Sequence, residues 1–297
     1  MTTLTRNAHA KINLTLDIGA RRPDGYHDIS SIMQTIELHD MLAVTRTPAF
    51  PGVRLEVTGA EGAGVPADES NLVHRAAVRL QKAAAARGLI PGNESGLHIW
   101  LHKRVPSQAG LGGGSSDAAA TLRIVNELLG LSLPHPRLAE IGAALGADVP
   151  FFLTGGTALV EGLGERVTAL PPMYPPWLLA VLKPPVGVST AAAYAALDAL
   201  PDRRPGTATD AMRNGEMRLG NDFEAVILPA YSQIAAAYAA LRQTGQTDES
   251  FTPLLCGSGS CLFRRVLTVE EGERLAGEIE AAGLGKAWVT ATGGATG

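Results

Sequence analysis

Lys103-Arg-Val-Pro-Ser-Gln-Ala-Gly-Leu-Gly-Gly-Gly-Ser-Ser-Asp117 is the stretch from which the rest of this chain can be read. The alternating segment before it, 97–105, predicts a strand. The apolar-periodic segment 115–129 predicts a helix stopped by Gly130. Gly110, Gly112, Gly113 and Gly114 allow left-handed backbone and close approach to a ligand. Ser115 and Ser116 stand where an N-cap is expected, with the free N–H groups of the first helical turn pointing into the loop. Those groups and the helix dipole suit a phosphate. A plain flexible strand-to-helix loop is the alternative; three adjacent glycines weigh against it, because ordering them is costly without a ligand.

The better-known phosphate loops do not fit. The single Gly-Lys, at Gly285-Lys286, has Glu280 where a Walker A loop needs its first glycine, and the Rossmann glycine spacing fails.

Working outward, 9–17 alternates. Ala10, Ile12, Leu14 and Leu16 share one face, Lys11, Asn13, Thr15 and Asp17 the other, which predicts a half-buried strand. Arg21-Arg22-Pro23-Asp24-Gly25 reads as a tight turn. Further strands are expected at 29–38, 41–46, 53–58, 178–182, 262–267 and 287–291. Helices are expected at 72–87, 136–145, 191–200, 229–244 and 269–282. Four prolines within 170–176 mark a crossover. Mixed elements in both halves predict two α+β domains with the active site in the cleft between them.

Composition bounds the function. A chain of 297 residues is long enough for about two domains and a sizeable core. A net charge of -4 offers no basic excess for nucleic acid. Arg6, Lys11 and Asp17 interrupt any signal-peptide core, and no apolar run is long enough for a membrane span, so a cytoplasmic, soluble protein is expected. Cys256 and Cys261 are too few for a disulfide framework and lack companions for a metal site. His98 and His102 have a helical metal spacing but lie in a strand segment.

Pro106-x3-Gly110-Leu111-Gly-Gly-Gly-Ser-Ser resembles the nucleotide-binding motif of the GHMP kinases, the superfamily of galactokinase, homoserine kinase and mevalonate kinase. Ala8–Asp17 and Leu254–Phe263 sit where that family has its other signature blocks. Three details look like its branch acting on a cytidine-diphosphate-linked methylerythritol. They are AKINLTLDI (10–18) followed by RRPDGYH (21–27), AGLGGGSSDAAA (109–120) and GADVPFFLTGG (146–156).

The resemblance implies a two-domain fold. Residues 1–165 would be the ATP-binding domain with an unusual left-handed βαβ unit, and 166–297 a ferredoxin-like, substrate-side α+β domain. It implies an ATP-dependent kinase, with Mg²⁺, that phosphorylates the 2-hydroxyl of 4-diphosphocytidyl-2-C-methyl-D-erythritol in the non-mevalonate route to isoprenoids. The partner is a small molecule, with neither nucleic acid nor membrane, and the chain would be a monomer or homodimer. Another GHMP kinase, such as one acting on homoserine, and a silent nucleotide binder are the alternatives.

Residue by residue, the resemblance makes Asp148 the base and Lys11 its electrostatic partner. By pattern alone, Lys11 is equally a surface charge and Asp148 a turn residue. ATP would be held by Pro106, Ser107, Gln108, Ala109, Gly110, Leu111, Gly112, Gly113, Gly114, Ser115 and Ser116. Lys103 and Asn71 would be on adenine, although Asn71 reads as well as the N-cap of the 72–87 helix. Tyr26 would stack on cytosine, His27 would read its edge, and Asn13 would touch the same substrate. Thr190 and Tyr194 would line the pocket, with Tyr where relatives usually have Phe. Gly257 and Gly259 would close over the transferring phosphoryl. No metal ligand can be assigned from sequence.

Overall fold

The computed structural model describes residues 2–90, 96–201, 203–242 and 252–293. Its spine is β3 (His27–Thr47), a single strand of 21 residues where the sequence predicts two. The polar pair His39-Asp40 breaks the apolar pattern but not the strand. Asp40 is fully buried, and its Oδ1 accepts the backbone N–H groups of Arg104 and Val105.

One edge of β3 pairs with β1 (Thr2–Asn13) and then β2 (Thr15–Arg21). The other edge pairs with β5 (Gly96–His102) and then β6 (Thr157–Gly162). β4 (Val53–Thr58) lies parallel to β5 across the helix α1 (Leu72–Ala86), forming a βαβ unit. β7 (Arg166–Ala169) pairs with β6, so this hairpin spans the expected boundary at 165/166. The change of sheet falls in the proline-rich stretch that follows.

The second sheet is antiparallel, with β8 (Leu178–Lys183) between β11 (Leu262–Val266) and β12 (Lys286–Ala291), and β10 (Leu254–Leu255) outside β11. Among the described residues its helices are α5 (Thr190–Asp198), α6 (Ala208–Arg213), α7 (Glu224–Ala230), α8 (Ser232–Arg242) and α9 (Val269–Ala281). One helix was expected over 229–244; the structure has α7 and α8 instead, and residues 243 and 244 lie outside the described residues. A two-residue strand between α6 and α7, β9 (Gly220–Asn221), returns to pair with β2 of the first sheet. This is the α+β fold expected of a GHMP kinase, with a ferredoxin-like second half. No helix among the described residues is long and apolar enough to cross a membrane.

Three cores hold the molecule. The first lies between the large sheet and α1, α2 (Gly113–Leu128), α3 (His135–Ala143) and α4 (Val149–Thr154). The second lies between the smaller sheet and its helices. The third joins the two sheets and includes Ala10, Ile12, Leu14, Leu111, Trp177, Val181, Cys256 and Phe263. Burying a side chain such as Ile12 or Leu14 contributes roughly 1.5–3 kcal/mol, so this dry seam fixes one half against the other.

That seam corrects the half-buried strand. Lys11 and Asn13 are 3% and 1% exposed, because the second half covers one face of β1 and the glycine-rich loop and α4 cover the other. The two cysteines are free and buried in the seam, and burial pushes the Cys256 thiol up to about 12.

Candidate active site

The glycine-rich loop leaves β5 and enters α2, as the sequence predicts, but the cap differs. Gly112, with φ 71°, is the N-cap, and neither Ser115 nor Ser116 caps the helix. A left-handed residue starts the helix three residues before Ser115, so Gly113 is already helical. Ser115 therefore sits in the first turn facing the cleft, and Ser116 is buried beneath it.

The glycines serve two purposes. A Cβ on Gly110 would fall 1.8 Å from the Cys256 carbonyl oxygen, and one on Gly112 2.6 Å from the Phe152 ring. Both positions let the loop pack on protein. A Cβ on Gly114 would meet nothing within 4 Å. Ser107, Gln108 and Gly114 form the exposed surface of the loop, while Pro106, Ala109 and Leu111 are buried and anchor it. Leu111 O accepts the Lys11 backbone N–H at 3.0 Å, tying the loop to β1.

Lys103 lies under the loop rather than in the cleft. Its ammonium is 4% exposed, at 2.7 Å from Asp117 Oδ2 and in contact with Asp40. Burial opposes the charge on Lys103, but the Asp117 and Asp40 carboxylates together raise its pKa. Burial, aided by Asp40, raises that of Asp117. Asn71 caps α1: its Oδ1 accepts the Val73 N–H at 2.9 Å and its Nδ2 donates to Pro66 O at 2.7 Å. Both side-chain groups of Asn71 are thus engaged locally.

Lys11 projects from β1 toward the N-terminus of α4, the helix that begins at Asp148. Its Nζ donates to Asn13 Oδ1 at 2.8 Å and stands 3.9 Å from Asp148 Oδ2. Asp148 occupies the N-cap position, yet its side chain makes no capping bond, so the carboxylate faces the cleft. Asn13 Oδ1 also accepts the Gly257 N–H at 3.0 Å, while Asn13 Nδ2 donates to Ser31 Oγ at 2.9 Å. A Cβ on Gly257 would lie 3.4 Å from Lys11 Nζ, so the 257–260 loop closes directly over the lysine. Gly259 instead packs toward Val188 and Leu255.

A cleft of about 1290 Å³ opens at Asp148. Tyr26, His27, Ser115, Asp148, Thr190 and Tyr194 all line it. His27 is buried, and its Nδ1 donates to Gly19 O at 3.0 Å, because a carbonyl can only accept. Its Nε2 is 3.1 Å from Asp198 Oδ1 without a well-aligned hydrogen bond. Tyr194 stacks on His27 with ring centroids 5.1 Å apart and meets Phe223 edge-on at 4.9 Å. Burial, with the Asp148 charge adding to it, raises the Tyr194 phenol pKa. Tyr26 is 62% exposed at the rim. Thr190 Oγ1 lies 2.8 Å from Ser258 Oγ, linking the start of α5 to the 257–260 loop.

Asp198 and Ser258 were not singled out from sequence. Asp198 continues the step from Thr190 to Tyr194 by another four residues, so the helical spacing of that face could have found it. Ser258 lies within the 257–260 turn that the resemblance puts over the transferring phosphoryl, but its contact with Thr190 joins positions far apart in the chain and has no local signal.

The fold agrees with comparisons to known proteins. Residues 71–156 match the GHMP kinases N terminal domain. The chain is 43% identical over 291 residues to 4-diphosphocytidyl-2-C-methyl-D-erythritol kinase of Moorella thermoacetica, covering 94% of this chain and 96% of that one. The corresponding enzyme of Exiguobacterium sibiricum is 41% identical over 280 residues, covering 92% of each. A crystal structure of 4-(cytidine 5'-diphospho)-2C-methyl-D-erythritol kinase superposes with a TM-score of 0.76 at 32% identity, covering 98% of this chain and all of that one. Homoserine kinase from Cytophaga hutchinsonii shares the fold, with a TM-score of 0.71 at 18% identity. Likeness at this level along nearly the whole sequence means that the chain belongs to the 4-diphosphocytidyl-2-C-methyl-D-erythritol kinase family of the GHMP kinases.

Proposed function

We propose that this chain transfers the γ-phosphoryl of ATP to the 2-hydroxyl of 4-diphosphocytidyl-2-C-methyl-D-erythritol, with Asp148 and Lys11 at the reacting centre. The observation that carries the reading is the Lys11–Asp148 pair at 3.9 Å, below a glycine-rich helix start and beside an aromatic pocket. Phosphoryl transfer passes through a loose transition state, so positioning and charge stabilisation matter more than strong base catalysis. Asp148 orients the acceptor hydroxyl and takes its proton. Lys11 favours the ionised carboxylate and stabilises negative charge on the transferring group. Asn13 holds the lysine and the substrate side by side.

The exposed face of the loop, from Ser107 and Gln108 through Gly114 to Ser115, receives the ATP phosphates at the N-terminus of α2. Lys103 serves this loop from beneath, through Asp40 and Asp117. Mg²⁺, bound with the nucleotide, would supply the counter-charge for the phosphates. Among the described residues no three acidic, imidazole or thiol side chains form a ready cluster. The Ser115 hydroxyl, in the first turn of α2 and facing the cleft, would be a protein oxygen for that ion. At the far end, Tyr26 and Tyr194 supply aromatic surface for the base, His27 Nε2 reads its edge, and Thr190 lines the wall.

The test is an ADP-release assay with Mg-ATP that compares the cytidyl substrate with homoserine, mevalonate and galactose, the product phosphate being located by phosphorus NMR. Turnover confined to the cytidyl substrate is expected. Phosphorylation of another alcohol would overturn the base-pocket assignment, and ATP binding without any turnover would overturn the kinase.

A further inference from the structure

Asn221 lies in the two-residue strand β9, where the second half of the chain returns to pair with β2. It is 7% exposed, and all its polar capacity is directed inward. Its Nδ2 donates to two carbonyls, Leu255 O and Gly257 O, each at 2.8 Å. Its Oδ1 accepts the Phe223 N–H at 3.0 Å, which fixes the rotamer that presents the amide hydrogens. Three residues on, Glu224 Oε1 accepts the Leu255 N–H at 2.8 Å. The segment 220–224 thus grips β10 by both its N–H and its C=O, and grips the following loop at Gly257.

Gly257 connects this clamp to the reacting pair. Its carbonyl is held by Asn221, while its N–H donates to Asn13 Oδ1, the atom that also receives Lys11 Nζ. We infer that Asn221 is a positioning residue for phosphoryl transfer: by holding the Gly257 peptide it fixes Asn13, and through Asn13 the Lys11 ammonium opposite Asp148. The inference rests on the reading of Lys11 and Asp148 given above. Asn is suited to the task because one side chain must donate twice and accept once; Asp has no donors and Leu has neither. The clamp does not touch the exposed face of the glycine-rich loop. It meets the base pocket through the Phe223 N–H, a bond that the Asn221→Asp side chain can still accept, so the effect of losing the two donors falls on turnover.

The test uses Asn221→Asp, which keeps the shape but faces two carbonyls without a donor. Asn221→Ser, which keeps one donor, serves as the milder variant should the first not fold. Kinetics are run in the wild-type and Lys11→Ala backgrounds. With the native lysine, N221D lowers kcat by about 10- to 100-fold, as misplacement of a reacting group does, while both KM values stay within about twofold. N221S falls in between. In the Lys11→Ala background the same substitutions change kcat by less than about twofold, because the route from Asn221 runs through the missing ammonium. Equal losses in both backgrounds would mark Asn221 as merely structural and overturn the inference alone. Undiminished kcat in Lys11→Ala itself would overturn the reading of Lys11 and, with it, this route.

Discussion

The Asp148 carboxylate is 30% exposed at the cleft floor, while the Lys11 ammonium, 3.9 Å away, is only 4% exposed. The asymmetry separates their roles. The carboxylate can meet an incoming hydroxyl, and the ammonium stays dry, where a fixed charge acts most strongly. Asp148→Asn is expected to lower kcat by about 10²–10⁴ with little change in the KM for ATP. Steady-state kinetics on folded protein check this. A variant with native kcat would remove Asp148 from the mechanism.

Tyr194 offers a cleaner separation of stacking from hydrogen bonding. Its ring lies between His27 and Phe223, but its hydroxyl makes no hydrogen bond among the described residues. Tyr194→Phe should therefore keep KM and kcat within about twofold, since ring area and geometry are retained. Tyr194→Ala removes a stacking face contributing roughly 1–3 kcal/mol, so the KM for the cytidyl substrate should rise about 5- to 150-fold. A large defect in the Phe variant would show that the hydroxyl touches substrate.

Much of this site was legible because it is local. The strand, glycine run and helix occur in order within residues 96–128, and the alternation around Lys11 and Asn13 puts both on one face. What escaped the sequence is contact across long separations. Asp40, which neutralises Lys103 and receives the Arg104 and Val105 amides, looks like a turn residue interrupting a strand pattern. The cover on one face of β1 comes from the second sheet, whose residues are more than 160 positions away, and on the other from the glycine-rich loop and α4. Alternation gives the two faces but not what covers them. The short α4 has too few residues for a periodicity, so its start at Asp148 emerges only from the fold.

The two kinds of glycine in the loop predict opposite outcomes. Gly110 has φ 75°, and a Cβ there would strike the Cys256 carbonyl. Gly110→Ala combines left-handed strain with overpacking and should destabilise by about 3 kcal/mol, seen as a lower Tm and denaturation midpoint. Gly114 is helical with open space beside it. Gly114→Ala should leave Tm equal or slightly raised, since Ala favours helix by about 1 kcal/mol. Its methyl projects from the exposed face of the loop, however, and the KM for ATP should rise. Unchanged ATP kinetics in that variant would move the phosphate site elsewhere.

Glu224 gives a stability prediction with a definite sign. Burial pushes its carboxyl up to about 7 from the usual 4.5, although its bond from the Leu255 N–H works the other way. A carboxyl whose pKa is higher in the folded than in the unfolded state binds more protons when folded. Its contribution is therefore fully present below the unfolded value and is lost as pH rises through the folded one. The native protein should lose stability from this group between about pH 4.5 and about pH 7, by at most about 3 kcal/mol, and change little from it above. Glu224→Gln keeps a carbonyl for the Leu255 N–H but does not ionise. Denaturant unfolding at pH 5 and pH 8 should show the Gln variant gaining on the native protein by about 2–3 kcal/mol at the higher pH. A difference that stays constant between the two pH values would mean that Glu224 is charged in the folded protein, and that the clamp on β10 works through a carboxylate.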